Sequence, residues 1–223
     1  MPRDARPPLD DVSVVTETVP LTPAIAARLT TYVDLLHQWQ RAKNLVGPGT
    51  LDEVWRRHVL DSTGALAALP TARRWVDLGS GAGFPGMVTA ILLSETAGAQ
   101  VDLVESNARK VAFLKTVART TAAPARAHAA RIEDVVAGLA ADRTAPVEAV
   151  SARALAPLDR LLALAAPLML AGAAGIFHKG RDLAREVEEA RAHWRFDLVE
   201  HPSRSDPEGR IVVVRDLAPL ERG

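Results

Sequence analysis

The residues with the clearest chemical potential are Asp77-Leu78-Gly79-Ser80-Gly81-Ala82-Gly83-Phe84-Pro85-Gly86. An apolar run from Trp75 to Leu78 leads into them, and a helical pattern from Gly86 leads out. Glycines at such a turn admit positive φ and let the backbone approach a ligand closely. Glu105 ends the next apolar run, 22 residues after Gly83. A carboxylate at that place can accept hydrogen bonds from both hydroxyls of an adenosine ribose. Strand, glycine loop, helix and downstream carboxylate together make a nucleotide site.

Gly81, Gly83 and Gly86 fit G-x-G-x-x-G, so a dinucleotide is one reading. Pyrophosphate needs free N–H groups at the helix N-terminus. Pro85 removes one of them, and Asp77 sets a carboxylate close by. A ligand with a cationic end and no phosphate suits the loop better, and S-adenosylmethionine has an ammonium, a sulfonium and a ribose diol. A purely structural turn is the third reading.

The elements that must position these residues follow from periodicity. Thr22 to Arg41 is helical, with Thr22 as cap, Pro23 in the first turn and Ile25, Leu29, Tyr32, Leu36 and Trp39 on one stripe. Thr50 and Glu53 have capping-box spacing before a short helix through Val54, Trp55 and Leu60. A third helix starts at Asp61 or Ser62 and stops before Pro70. Strands are then expected at 75–78, 101–105, 125–129, 147–151 and 175–179, with helices between them and a further helix from Leu183 to Trp194. Phe196 to His201 and Arg210 to Arg215 form a closing antiparallel pair. This alternation predicts an α/β, Rossmann-like seven-stranded, mostly parallel sheet with helices on both faces. A small N-terminal helical extension precedes it. The expected divisions are a flexible segment 1–19, packing helices 20–70 and a catalytic domain 71–223, with 20–223 one globular unit. A ligand would lie outside the carboxyl ends of the strands.

Composition narrows the chemistry. The chain of 223 residues is 48% hydrophobic and 24% charged, the range of a folded globular protein. It has 27 Lys and Arg against 27 Asp and Glu, so nucleic-acid binding would require a local positive face. There is no cysteine, which excludes disulfides, thiolate metal sites and cysteine nucleophiles. No apolar run reaches the ~20 residues of a membrane span. The charged, proline-rich start MPRDARPPLDD has no apolar core for export. No membrane association and a cytoplasmic location are expected.

Asn44, Arg56, Arg57, His58, Arg109, Lys110, Arg153, Lys179 and Arg181 are the candidates for holding a nucleic acid, if one is the partner. Arg56 and Arg57 equally suit a solvated helix face. Arg109 and Lys110 fall in the first turn of a helix, where positive charge is unfavourable. His58 is either a catalytic or phosphate-binding group, or a structural histidine paired with Asp61 three residues on. Two such residues are too few for a metal, and no metal is expected. The four tryptophans read as core, and Phe84 as the aromatic near the ligand.

Several segments resemble the ribosomal RNA small-subunit methyltransferase G family of class I S-adenosylmethionine-dependent enzymes. They are Trp39 to Val46 (WQRAKNLV), Arg57 to Ser62 (RHVLDS), Val76 to Gly86 (VDLGSGAGFPG), Leu103 to Leu114 (LVESNARKVAFL), Arg131 to Val135 (RIEDV), Ser151 to Leu158 (SARALAPL) and Phe177 to Gly180 (FHKG). The resemblance implies methylation of N7 of a guanine in the 530 loop of 16S rRNA, with free rRNA or the assembling 30S subunit as partner. It places Gly79, Phe84, Ile132, Glu133 and Arg153 at the cofactor. Asp77, Gly81, Gly83 and Glu105 join them from the loop argument. Ser80 stands where threonine is frequent, Glu105 where aspartate is, and His178 where an apolar residue is usual. A monomer is expected.

Guanine N7 carries an in-plane lone pair, so its methylation removes no proton. Alignment with the sulfonium methyl matters more than a general base, and carboxylates or carbonyls near the base would offset its growing positive charge. Direct in-line transfer without a covalent intermediate is expected. Arg153 and Lys179 are the candidates for positioning, and no catalytic residue is required. Pyrimidine C5 methylation commonly uses a thiolate, which this chain does not contain. A small-molecule methyltransferase would need an apolar lid. A non-catalytic S-adenosylmethionine- or RNA-binding protein is a third reading: the intact loop with Asp77 and Glu105 argues against loss of cofactor binding but does not show turnover.

Overall fold

The computed structural model describes residues 10–43 and 51–220. A short helix, α1 (Ser13–Thr16), buries Val14 and Val15. Asp11 accepts a hydrogen bond from the Ser13 N–H at 2.9 Å. In α2 (Pro23–Lys43) the apolar stripe is inward, with Ile25, Leu29, Tyr32 and Leu36 buried. Thr22 Oγ1 accepts from the Ile25 N–H at 3.2 Å, so the expected cap is in place.

Residues 10–19 differ from the flexible lead-in the sequence suggested. Two valines give the segment an apolar face, and Asp10 reaches the start of the next helix. That helix opens with a π-helical turn, Trp55–Leu60, which runs unbroken into α3 (Asp61–Ala68). Thr50 lies outside the described residues. The Trp55 and Arg56 N–H groups donate to the two Asp10 carboxylate oxygens at 2.9 and 3.0 Å. A cap from 45 residues away has no local pattern in the sequence.

The alternating part follows as β1 (Arg74–Leu78), α4 (Gly86–Leu92), β2 (Gln100–Glu105), α5 (Ala108–Thr121), β3 (Ala125–Ala129), α6 (Ile132–Ala141), β4 (Ala149–Arg153), α7 (Leu158–Met169), β5 (Ala174–Lys179), α8 (Leu183–Arg191), β6 (Trp194–Pro202) and β7 (Arg210–Pro219). The seven strands run in the order β3-β2-β1-β4-β5-β7-β6. Only β7 runs opposite to the other six strands, pairing antiparallel with β5 and β6. The expected Rossmann-like sheet is therefore present. Several boundaries moved: β4 runs Ala149–Arg153, Trp194 opens β6 instead of closing α8, and β7 continues to Pro219.

Side chains alternate across the sheet. Trp75, Val101, Leu103 and Ile176 pack with α2 to α5 on one face. Val76, Leu78, Val104 and Phe177 pack with α6, α7 and α8 on the other. Both faces are covered, as a parallel sheet requires. Strand order reverses between β1 and β4, so the crevice at their carboxyl ends is the topological switch point.

Asp10→Ala should cost about 1 kcal/mol through loss of the cap, a fall in Tm of roughly 2–4 °C by calorimetry. Asp10→Asn, which keeps one acceptor, should lose less. An unchanged Tm in both variants would remove Asp10 from this role.

Candidate functional site

The glycine loop joins β1 to α4 at the switch point. Gly81 has φ +58°, and a Cβ there would meet nothing closer than the Gly79 oxygen at 3.8 Å. Its open side faces a cavity. Gly83 has φ +105°, and a Cβ would lie 2.7 Å from Met87 Cβ and 3.0 Å from Tyr32 Oη. That glycine is set by packing as well as by conformation. Tyr32 Oη donates to the Ala82 oxygen at 2.7 Å, so α2 holds the loop from outside. Glu105 holds it from the strand end, accepting from Gly81 N–H at 3.0 Å and Asn107 N–H at 2.8 Å. Each oxygen keeps a further lone pair for a ligand hydroxyl.

Asp77 does not reach the cavity. Its Oδ1 accepts from Ser151 Oγ at 2.7 Å, and among the described residues Oδ2 has no hydrogen-bond partner. A Cβ at Gly86 would lie 2.6 Å from that oxygen, so glycine is needed there. Burial raises the Asp77 pKa to about 6, against the Ser151 hydroxyl, which lowers it.

Two cavities open at the strand ends. One, ≈ 600 Å³, is lined by Gly79, Gly81, Glu105, Ile132 and Glu133. The other, ≈ 980 Å³, is lined by Arg57, His58, Asp61, Arg153, His178 and Lys179. Ala154, Leu155 and Ala156, the loop after β4, border both. Leu155 packs so closely on the glycine loop that a Cβ at Gly79 would meet its Cδ1 at 2.7 Å.

Arg153 centres the larger cavity. It donates to the Arg57 oxygen at 3.3 Å and to His58 Nδ1 at 3.0 Å. Asp61 Oδ2 lies 3.6 Å away, and the guanidinium sits 5.2 Å above the Phe84 ring. His58 stacks on the same ring with centroids 5.0 Å apart. Burial, then Arg153, lowers the His58 pKa to about 4, so the imidazole is neutral at pH 7. Arginine only donates, so His58 Nδ1 accepts and the proton sits on Nε2. Among the described residues that Nε2 has no partner, and neither has His178 Nδ1. Asp61 also accepts from Ser203 Oγ at 2.5 Å.

A profile of the GidB family, rRNA small subunit methyltransferase G, matches residues 25–208. The chain belongs to this family. Relatives named "Ribosomal RNA small subunit methyltransferase G" include one from Methylorubrum extorquens (strain PA1), 50% identical over 88% of this chain and 90% of its own. Another, from Parvibaculum lavamentivorans, is 52% identical over 85% and 82%. Solved structures agree in fold at low identity. A Bacillus cereus O-methyltransferase in complex with SAH gives a TM-score of 0.59 at 11% identity, covering 92% of this chain and 96% of that one. An O-methyltransferase from Streptomyces achromogenes in complex with SAM gives 0.57 at 14%, covering 92% and 95%.

In this family member the expected site residues divide. Gly79, Gly81, Glu105, Ile132 and Glu133 come together around the smaller cavity. Gly83 and Asp77 lie behind the loop. Phe84 is buried between His58, Arg153 and Tyr32. Arg153, expected at the cofactor, turns its side chain to the other cavity. His58 was weighed as a partner for Asp61; its ring bonds to Arg153, on which Asp61 also converges. Lys179, expected to contact RNA, is turned inward. Its ammonium pairs with Glu186 and donates to the Ala156 oxygen at 3.0 Å, while Glu186 accepts from the Leu158 N–H at the start of α7. Arg57 is exposed and paired with Glu53. Arg56, Arg109 and Arg181 are exposed, Lys110 is half-buried, and Asn44 lies outside the described residues. No three His, Asp or Glu among the described residues gather to hold a metal. Among them, no helix is long and apolar enough to cross a membrane.

Ser203, Glu186 and Tyr32 are the participants the sequence reading missed. Ser203 sits in the β6–β7 turn, 142 residues from Asp61, and had no local signal. Tyr32 had one: it is the single tyrosine, on an apolar stripe where its hydroxyl needs a partner.

By NMR, His58 should titrate near 4. Arg153→Met should raise that midpoint while leaving it below 6.5, because burial is the larger cause. A wild-type midpoint near 6.5 would contradict the arrangement. Lys179→Met should destabilise the fold by about 3–5 kcal/mol in urea unfolding, because it strands Glu186. A loss under 1 kcal/mol would show the pair to be solvated.

Proposed function

We propose that the protein transfers a methyl group from S-adenosylmethionine to N7 of a guanine in the 530 loop of 16S rRNA, directly and in line, with no covalent enzyme intermediate. Its partner is 16S rRNA or the assembling 30S subunit, and it acts as a cytoplasmic monomer. The observation that carries this reading is the pair of cavities meeting across Ala154–Ala156, one built for a nucleoside and the other lined with cations and imidazoles.

The residues fit the cofactor. Glu105 presents spare lone pairs to a ribose diol, the open side of Gly81 admits close approach, and Ile132 offers an apolar contact for adenine. Bound S-adenosylmethionine supplies an electrophilic methyl group on a sulfonium. Asp77 and Glu133 add negative charge around that cation-bearing ligand.

The larger cavity suits guanine. Its Hoogsteen edge presents N7 and O6, both acceptors. N7 must stay free for the methyl group, so donors belong at O6, and the arginines on the cavity wall, Arg56, Arg57 and Arg210, can supply them. No group is needed to remove a proton. The chain's part is alignment and the offset of positive charge on the product base, for which Asp61 is a carboxylate on the cavity lining. A small-molecule substrate suits the cavity less, since its rim carries Arg56, Arg57 and Arg210 in place of an apolar lid.

Tritiated methyl from S-adenosylmethionine should enter undermethylated 16S rRNA, free or in 30S particles, and map to guanine N7. No incorporation into either would refute the reading, and a different position would refute its specificity. Gly81→Val should abolish cofactor binding by calorimetry while circular dichroism stays native. Unchanged affinity would mean that the loop does not face the cofactor.

A further inference from the structure

No Asp or Glu falls between Glu105 and Glu133, while Arg109, Lys110, Lys115, Arg119, Arg126 and Arg131 do. In a chain of net charge zero this is the strongest local asymmetry. The stretch folds as α5 and β3, at one edge of the sheet. Arg131 meets Glu133. Among the described residues, the side chains of the other five make no ion pair or hydrogen bond. Elsewhere some arginines are met by acids, Arg28 by Glu95, Arg160 by Glu133 and Arg185 by Glu189, while exposed ones such as Arg56 and Arg181 stand singly, not in a run.

The positions form a track. Lys110 and Arg131 border the smaller cavity. Lys115, Arg119 and Arg126 line a shallow cleft of ≈ 500 Å³ between α5 and β3. From Arg109 to Arg119 the helix rises ~15 Å. Arg109 and Lys110 stand in the first turn of α5, against the helix dipole, although Asn107 Oδ1 caps both N–H groups at 3.0 and 3.3 Å. Arg126 alone lies on the edge strand, so protection of a free edge does not account for the charges on α5.

The track offers charge without stacking surfaces. Phe113 is buried, and Ala112, Thr116, Ala118 and Thr120 fill the rest of the outer face of α5. Single strands are held by aromatic platforms as well as by charge. Base-paired RNA is held through its backbone.

We propose that α5 and β3 form a second RNA-binding surface, distinct from the base cavity, which takes the phosphate backbone of a base-paired stem. The proposal rests on the rRNA reading above and extends it to residues that touch neither cofactor nor target base.

The test is the triple variant Lys115→Gln, Arg119→Gln, Arg126→Gln, with two probes: a hairpin carrying the target loop on its stem, and the loop strand alone. At about 0.15 M salt the variant should bind the hairpin roughly ten-fold or more weakly, with the slope of log K against log salt reduced by about 2–3. Its affinity for S-adenosylmethionine and for the loop strand should match wild type. Equal hairpin binding with an unchanged slope overturns the proposal, as does an equal loss on both RNAs. Methyl transfer by the wild type to 16S rRNA reports on the function alone, and the ratio of variant to wild-type hairpin binding reports on the track alone.

Discussion

A guanidinium keeps its charge inside a protein, so taking one out of water requires acceptors gathered around it. Arg153 imposes that requirement at the end of β4. Its partners come from three places: the Arg57 oxygen and His58 on the π-helical turn, Asp61 at the head of α3, and the Phe84 ring in the glycine loop. Each element is positioned by its own packing, yet all converge on one charge. Removing a partner from such a pair typically costs about 3–5 kcal/mol, so the join between the N-terminal helices and the sheet is specified by charge as well as by apolar burial. It also explains the imidazole. A histidine that must accept from arginine is held neutral, and its second nitrogen is left as a donor.

The π-helical turn follows from the same demand. A wider turn of helix re-aims side chains, and such insertions recur at functional sites. Here it brings Arg57, His58 and, one residue beyond it, Asp61 to bear on Arg153. Its start is fixed by Asp10, outside the residues matched by the family profile. The segment before α2 thus supports the geometry of the site from a distance.

Most of the fold was legible, because strands buried on both faces read as short apolar runs and the helices between them kept their period. The glycine loop and Glu105 were legible because their spacing is local. The rest was not legible, for a common reason. Arg153 and Lys179 are expected at a ligand from their place at strand ends and both line the larger cavity, but the groups that hold their long side chains, His58 and Asp61 or Glu186, lie far along the chain. Asp61 and Ser203, or Glu186 and the head of α7, meet only after the sheet has assembled. Asp77 shows the converse. Its motif position suggested a ligand contact, yet the close approach of Gly86 seals it beneath the loop.

Three residues, Ala154 to Ala156, are all that divide the two cavities, and Leu155 rests directly on Gly79. A partition this thin gives the two cavities a common wall. A ligand that shifted or stiffened Leu155 from one side would change the free energy of occupying the other, by the same amount in both directions. Ala154 holds positive φ, at 53°, a conformation that alanine keeps only where its surroundings impose it. The wall between the cavities is thus set by one constrained residue and one leucine.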